Sequence, residues 1–328
     1  MGLYILKRVL YMIPTLIGMS LISFFIIQLP PGDFLTSLVS AIADQGQALD
    51  QASIARLTAQ YGLDQPVYVQ YWKWISGIVL HGDFGWSFDW GQPVSHLIWD
   101  RMGITLLVST LSLVLIWVIA LPIGIYSAVK RYSVGDHVFT FLGFIGLAIP
   151  TFILALGLMY VSFAYFGQNV GGLFSPEYET APWSLAKLGD LCLHLWIPIL
   201  VIAVSSTAAL IRVMRANLSD ELSKPYVVTA RAKGLSEFTL IMRYPVRLAL
   251  NPFISTIGWV LPSLISGVTI TAIVLNLPMA GPLLLRALVS QDMYLAGAFI
   301  LLMSVLTLVG MLISDILLAL LDPRIRFQ

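Results

Sequence analysis

Residues 105–129 read TLLVSTLSLVLIWVIALPIGIYSAV, and no side chain in the run is charged. The hydrocarbon core of a bilayer takes about 20 apolar residues as a helix, so this stretch is long enough to cross it. Five more stretches share the property: Val9 to Leu29, Val138 to Phe166, Leu191 to Val213, Phe253 to Leu277 and Leu295 to Leu321. Inside lipid every backbone polar group needs an internal partner, so such spans are helices. No alternating ten-residue pattern suggests a barrel. Composition agrees. The 328-residue chain is 58% hydrophobic and 11% charged, against roughly 45–50% and 25% for soluble domains. The expected fold class is an all-α membrane protein with six transmembrane helices.

Lys7 and Arg8 precede the first span, as they would in a signal peptide. Its apolar run exceeds the roughly 7–15 residues of a signal core, and no small-residue site follows in LPPGDF, so a retained helix is expected. Lysine and arginine bias sets orientation. With the N-terminus cytoplasmic, thirteen of the 18 basic residues lie inside: Lys7, Arg8, Lys130, Arg131, Arg212, Arg215, Lys224, Arg231, Lys233, Arg243, Arg247, Arg324 and Arg326. Arg56, Lys73, Arg101, Lys187 and Arg286 lie outside. The chain is thus expected N-in and C-in. Residues 1–29 form the cytoplasmic N-terminus and first span, and 30–101 an extracytoplasmic piece. Residues 102–328 form a five-helix core with a cytoplasmic loop at 214–251.

The outer piece has apolar residues at helical spacing, Ile54, Leu57 and Tyr61, then Val69, Trp72, Ile75, Ile78 and Val79. Gly62 suits the end of one helix and Pro66 the start of the next. Two amphipathic helices near the outer surface are expected, their Trp and Tyr at the interface, followed by a turn at HGDFG. Asp83 has no carboxylate partner in reach and is read as a turn residue rather than a catalytic acid.

The inner piece contains SDELSKPYVVTARAKGLSEF, residues 219–238. Ser219 with Glu221 resembles a helix start, and Pro225 suits the first position of another helix. Leu222, Tyr226 and Thr229 or Ala230 share a spacing of three or four, so they are expected to face the bundle. Gly234 ends that helix, and Ser236 with Glu237 starts the next. Two readings fit a helix, a glycine break and a helix. One is a positive-inside loop that orients the chain on anionic lipid. The other is a docking element, since the segment is longer than a plain connection.

Several chemistries lack their residues. There is no phosphate-cradling G-x-x-x-x-G-K-[ST] loop, no Ser-His-Asp set, no H-E-x-x-H and no carboxylate pair, so an enzyme is not expected. His81, His96, His137 and His194 have no metal-ligand spacing. The single cysteine, Cys192, permits no internal disulfide and reads as a small packing residue. Neither metal nor cofactor is expected. The net charge of +1 gives no argument for nucleic acid. Asp315 is the one acid clearly within a span. A secondary transporter driven by an ion gradient would need such a residue.

YVVTARAKGLSEFTLIMRYPVRLALNP, residues 226–252, closely resembles the cytoplasmic loop of permease subunits in binding-protein-dependent ABC importers of the oligopeptide/dipeptide/nickel group. Ala230, Gly234 and Pro252 fall where that pattern has its alanine, glycine and closing proline. RVLYMIPTLIGMSLISFFIIQLPPGD, YGLDQPVYVQYWKWISGIVLHGDFGWSF, IPTFILAL and LLDPRIRF resemble the same group in the same order, so the match spans nearly the whole chain. The last pieces point to the B-type permease. Tyr244 and Leu248 depart from the histidine and asparagine of the pattern, and Phe34 from a proline.

The resemblance implies the type I ABC importer permease fold in a bacterial inner membrane. It implies a heterodimer with a second permease, one or two ATP-binding subunits and an extracytoplasmic solute-binding protein. ATP hydrolysis would reside on those partners. The solute implied is an oligopeptide or dipeptide, or in some members an oligosaccharide. Carried over by position, the residues coupling to the ATPase are Pro225, Tyr226, Thr229, Ala230, Arg231, Lys233, Gly234, Glu237, Arg243 and Arg247.

Overall fold

The structure, a computed structural model, describes residues 2–28, 64–87, 89–257 and 268–321. Helix α1 runs Gly2–Gln28. Next among the described residues come α2 (Val67–Ser76), prolonged by a π-helical turn at Gly77–His81, and a two-stranded antiparallel pair, β1 (Trp86–Ser87) and β2 (Gln92–Pro93). Then follow α3 (Val94–Val129), α4 (Val134–Ala148), α5 (Thr151–Phe166) and α6 (Leu185–Leu222). The remainder comprises α7 (Pro225–Ala232), α8 (Glu237–Arg243), α9 (Pro245–Ser255), α10 (Thr269–Val274), α11 (Ala280–Val289) and α12 (Met293–Leu321).

Among the described residues, α3, α6, α12 and Tyr4–Phe25 of α1 are long and apolar enough to cross a membrane. Val138 to Phe166, expected as one span, is instead the pair α4 and α5, bent by 99°. The cause is Pro150. The residue before a proline is driven out of the helical region, and Ile149 sits extended at φ −84°, ψ 121°. Counted as one span, the pair makes five. Of the expected span Phe253 to Leu277, residues 258–267 lie outside the described residues. So does the outer helix expected around Ile54, Leu57 and Tyr61.

The chain divides into two compact units. The first comprises residues 1–6, 104–278 and 307–328. In it α4 and α9 pack along α6, a continuous helix of 38 residues and about 57 Å. Small residues permit the contact. A Cβ at Gly146 would lie 2.9 Å from Cγ1 of Val204, and one at Gly124 would lie 2.6 Å from Cβ of Met214. At the start of α4, Ser133 Oγ accepts from the amide of Asp136. Asp136 in turn accepts from the amide of Tyr132 at 2.9 Å and from Arg215 at 2.7 Å. At the other end of α6, Asp190 accepts from the amide and hydroxyl of Ser175 at 2.8 and 2.6 Å, and Lys187 donates to the Ala181 carbonyl. Cys192, expected to pack inward, is exposed.

The second unit comprises residues 7–103 and 279–306. Phe24, Trp74 and Leu301 form a small core with Tyr71, Ile75, Ile78 and Tyr294 against it. Ser20 and Tyr71 share a hydrogen bond of 2.9 Å, and Gln28 donates to Gln70 at 3.2 Å, so α2 lies along the last turns of α1. Asp83 is a turn residue, as expected: its Oδ1 accepts from the amide of Gly85 at 2.9 Å. Buried Asp292 accepts from Ser87 Oγ and from the amide of Leu295, which pins β1 to the start of α12.

Candidate coupling site

The site begins where α6 stops. The helix start expected at Ser219 is not observed, because α6 continues through it to Leu222. The break comes at Ser223 and Lys224, the latter extended at ψ 150° ahead of Pro225, which opens α7. Here too the proline excludes a helical conformation from its predecessor. Glu221 therefore sits in the last turn of α6 and clamps the corner. It accepts from Lys224 Nζ at 2.5 Å and from the Tyr226 hydroxyl at 2.8 Å. Burial, with Glu221 beside it, pushes the Tyr226 hydroxyl well above the usual phenol range.

The face of α7 turned inward differs from the expected one. Val227 is buried, Tyr226 and Ala230 are half-buried, and Thr229 is exposed with its Oγ1 donating to the Pro225 carbonyl at 3.0 Å. A rotation of one residue, about 100°, puts the first valine of YVV where the tyrosine was expected. The end of α7 is a Schellman motif: the amide of Gly234 bonds the Arg231 carbonyl at 3.0 Å, and that of Leu235 bonds the Ala230 carbonyl at 3.4 Å. That geometry needs a left-handed residue, and Gly234 has φ +78°.

Across this turn Arg231 grips Glu237 with two nitrogens, Nε on Oε1 and Nη2 on Oε2, the second bond at 3.1 Å. The paired guanidinium holds the Glu237 carboxyl below the usual range, and the carboxylate raises Arg231 in return. Ser236 precedes α8 as expected, and its hydroxyl bonds Thr239 Oγ1. On α8, Leu240 is buried while Phe238 and Met242 are exposed, by 76% and 44%. Val228 on α7 is 60% exposed. Tyr244 forms the joint to α9 at φ −117°, ψ −75°.

Arg231, Gly234 and Glu237 are thus brought together in one hairpin, with Pro225, Tyr226, Thr229, Ala230 and Lys233 on its first limb. Among the described residues Lys233 and Arg243 are exposed and in no ion pair. Arg247 stands apart. Its Nη2 donates to the Leu321 carbonyl at 3.3 Å, at the C-terminal end of α12, where a cation meets the negative end of the helix dipole. Charge and turn residues revealed the hairpin from sequence, but Val227, Leu240, Val228, Phe238 and Met242 were missed, and Glu221 was read as opening a helix that it closes. The i, i+4 pair Phe238 and Met242 was a readable apolar stripe beside a glycine turn. Asp315 lies half-buried in α12.

The hairpin is joined by two residues, Ser223 and Lys224, to the end of a 38-residue helix, and the hydrogen bonds of Glu221 span that corner.

Comparison with known proteins accords with this architecture. Residues 120–327 match the family model described as binding-protein-dependent transport system inner membrane component. Residues 1–109 match the model of the N-terminal part of such membrane components. The oligopeptide transport system permease protein AppB of Bacillus subtilis (strain 168) is 37% identical over 328 residues, covering 100% of both chains. The glutathione transport system permease protein GsiC of Salmonella typhimurium is 32% identical over 99% of both. The inner membrane ABC transporter permease protein YejB of Escherichia coli O157:H7 is 30% identical over 100% of both. The chain therefore belongs to the inner membrane components of binding-protein-dependent transport systems, as a multi-pass ABC importer permease whose ATP hydrolysis resides on separate subunits.

Proposed function

We propose that the loop 214–251 is the element through which this permease is driven, with α7 seated on an ATP-binding subunit. The carrying observation is the sidedness of the hairpin. Val227 and Leu240 anchor it, while Val228, Phe238 and Met242 point outward beside the unpaired cations Lys233 and Arg243. Large exposed apolar side chains on a charged cytoplasmic loop suit burial by a partner. In this role Pro225, Tyr226, Thr229, Ala230, Arg231, Lys233, Gly234 and Glu237 shape and present the limb. Arg243 meets the partner, and Arg247 holds the return helix to α12. The partners are a second, non-identical permease, one or two ATP-binding subunits and an extracytoplasmic solute-binding protein. N-in orientation puts 30–101 outside, toward the binding protein, and makes 1–29 and 102–328 the membrane body.

The solute we infer is a peptide, the class named for the AppB and GsiC relatives. The test reconstitutes the full importer in proteoliposomes. Val228→Cys should cross-link to the ATP-binding subunit, and oligopeptide uptake should require ATP and every subunit. Uphill uptake by this chain without an ATP-binding subunit would refute the proposal, and absence of the cross-link in an active complex would refute the docking face.

A further inference from the structure

The second unit holds a cavity of about 580 Å³ lined by Lys73, Trp74, Gly77, Asp83, Trp86 and Tyr294, among others. That volume falls in the range of small-molecule sites, about 300–1,000 Å³. Its wall carries two opposite charges that do not meet. Among the described residues neither Lys73 nor Asp83 is in an ion pair. Asp83 uses Oδ1 to receive the amide of Gly85. Trp74 is 4% exposed, and its indole N–H has no acceptor. The ring of Trp86 is partly open to solvent.

The same helical segment that supplies Lys73 and Trp74 presents Tyr68, Trp72, Val79 and Leu80, all at least 70% exposed. The hydrogen bonds of α2 to Ser20 and Gln28 hold it beside the outer turns of α1, where that span leaves the hydrocarbon. Tyr and Trp collect at this depth because their rings are apolar and their tips polar. A soluble zwitterion in the cavity would leave this apolar face uncovered. A lipid covers it.

We propose that the cavity binds the headgroup of a zwitterionic phospholipid bearing a primary ammonium. The phosphate lies toward Lys73 and the Trp74 N–H, and the ammonium toward Asp83 and the face of Trp86. The ammonium gains a carboxylate and a ring face together. The acyl chains run over Trp72, Val79 and Leu80. The proposal goes beyond the coupling site, requires only that residues 30–101 face outward, and is independent of ATP.

The test uses the assembled importer, purified in mild detergent and analysed by native mass spectrometry with added phosphatidylethanolamine, phosphatidylglycerol or trialanine. Phosphatidylethanolamine should be retained in preference to phosphatidylglycerol, which has no ammonium. Lys73→Gln and Asp83→Asn should each lower that retention about tenfold, the loss of one charged hydrogen bond. Asparagine keeps the acceptor for Gly85, so the turn survives. Equal retention of the two lipids, or unchanged retention in both variants, would overturn the site. Displacement of the lipid by trialanine would reassign it to a soluble zwitterion.

Discussion

Nη2 of Arg215 lies 2.7 Å from Oδ2 of Asp136 and ties the first turn of α4 to the long helix α6. The carboxylate is 2% exposed, and the amide of Tyr132 also bonds it. Removing one member of a buried pair strands the other charge, which costs about 3–5 kcal/mol. The Arg215 side chain retains 29% exposure, so the low end applies. Asp136→Asn should lower the melting temperature of the purified permease complex by several degrees, and Arg215→Lys by less. An unchanged melting curve for Asp136→Asn would show that the tie adds nothing to the fold.

Close helix approach makes a second prediction. A methyl group at Gly124 meets Cβ and Cγ of Met214 at 2.6 and 2.9 Å, near the carbonyl of Ile211. Overpacking of this kind costs about 1–3 kcal/mol. Gly124→Ala should therefore destabilise the complex measurably. Gly157→Ala, where nothing lies within 4 Å of the added carbon, should not. Thermal unfolding of the two variants side by side measures the cost of that close approach.

Much of this fold was legible because lipid imposes one rule on every span. The apolar runs around α1, α3, α6 and α12 needed only length and charge to be read. Pro150 was visible too, but a proline inside a span more often kinks than breaks a helix, and its neighbours were equally apolar on both sides. Only tertiary context turned it into a 99° bend. In the loop 214–251, Pro225 and Gly234 were readable because each fixes backbone geometry by its own chemistry. The burial of Val227 was not, because which face of a two-turn helix points inward depends on the angle at Ser223 and Lys224. Glu221 was read as opening a helix when it closes one. Its side-chain partners, Lys224 within the corner and Tyr226 after it, come into reach only once the corner forms.

Gly234 makes the corner that presents α7. An L-residue in that left-handed conformation costs about 1–2 kcal/mol, and a β-branched one fits worst. Gly234→Val should leave insertion and assembly intact, since the turn is exposed, while ATP hydrolysis loses its link to uptake. Asparagine visits this conformation readily, so Gly234→Asn should retain transport. Binding-protein-stimulated ATPase and peptide uptake, measured together in proteoliposomes, separate these outcomes. Full coupling in the valine variant would remove the glycine from the mechanism.

The Arg231–Glu237 pair gives the hairpin a pH dependence of definite sign. Hydrogen bonding to Arg231 lowers Glu237 in the folded loop. Its contribution is therefore present above the ordinary glutamate range and fades as pH falls through the lowered value. Hydrogen bonding to Glu237 raises Arg231. That contribution holds below the ordinary guanidinium range and is lost only far into alkali. Amide exchange in residues 230–240, corrected for intrinsic rates, should stay flat from about pH 6 to 8 and rise under acid. Glu237→Gln should be raised already at neutral pH and show no acid step. The pair is exposed, so the effect is small and local.

Phe238 and Leu240 stand two positions apart on α8 with opposite fates, one 76% exposed and the other buried. Truncating an exposed side chain alters stability by about 0.5 kcal/mol or less, whereas emptying a buried leucine site costs about 2–5 kcal/mol. If Phe238 is an anchor in the ATP-binding subunit, Phe238→Ala loses about 2 kcal/mol of binding or more, roughly thirtyfold in affinity, with an unchanged melting temperature. Leu240→Ala should do the reverse first, loosening the loop and weakening binding only as a consequence. Met242→Ala should resemble Phe238→Ala more weakly, being less exposed and more easily replaced in its contacts. Titration of the ATP-binding subunit onto each permease variant, paired with its melting curve, distinguishes docking from packing. Should Phe238→Ala melt early and bind normally, the side chain supports the loop and the docking face lies elsewhere.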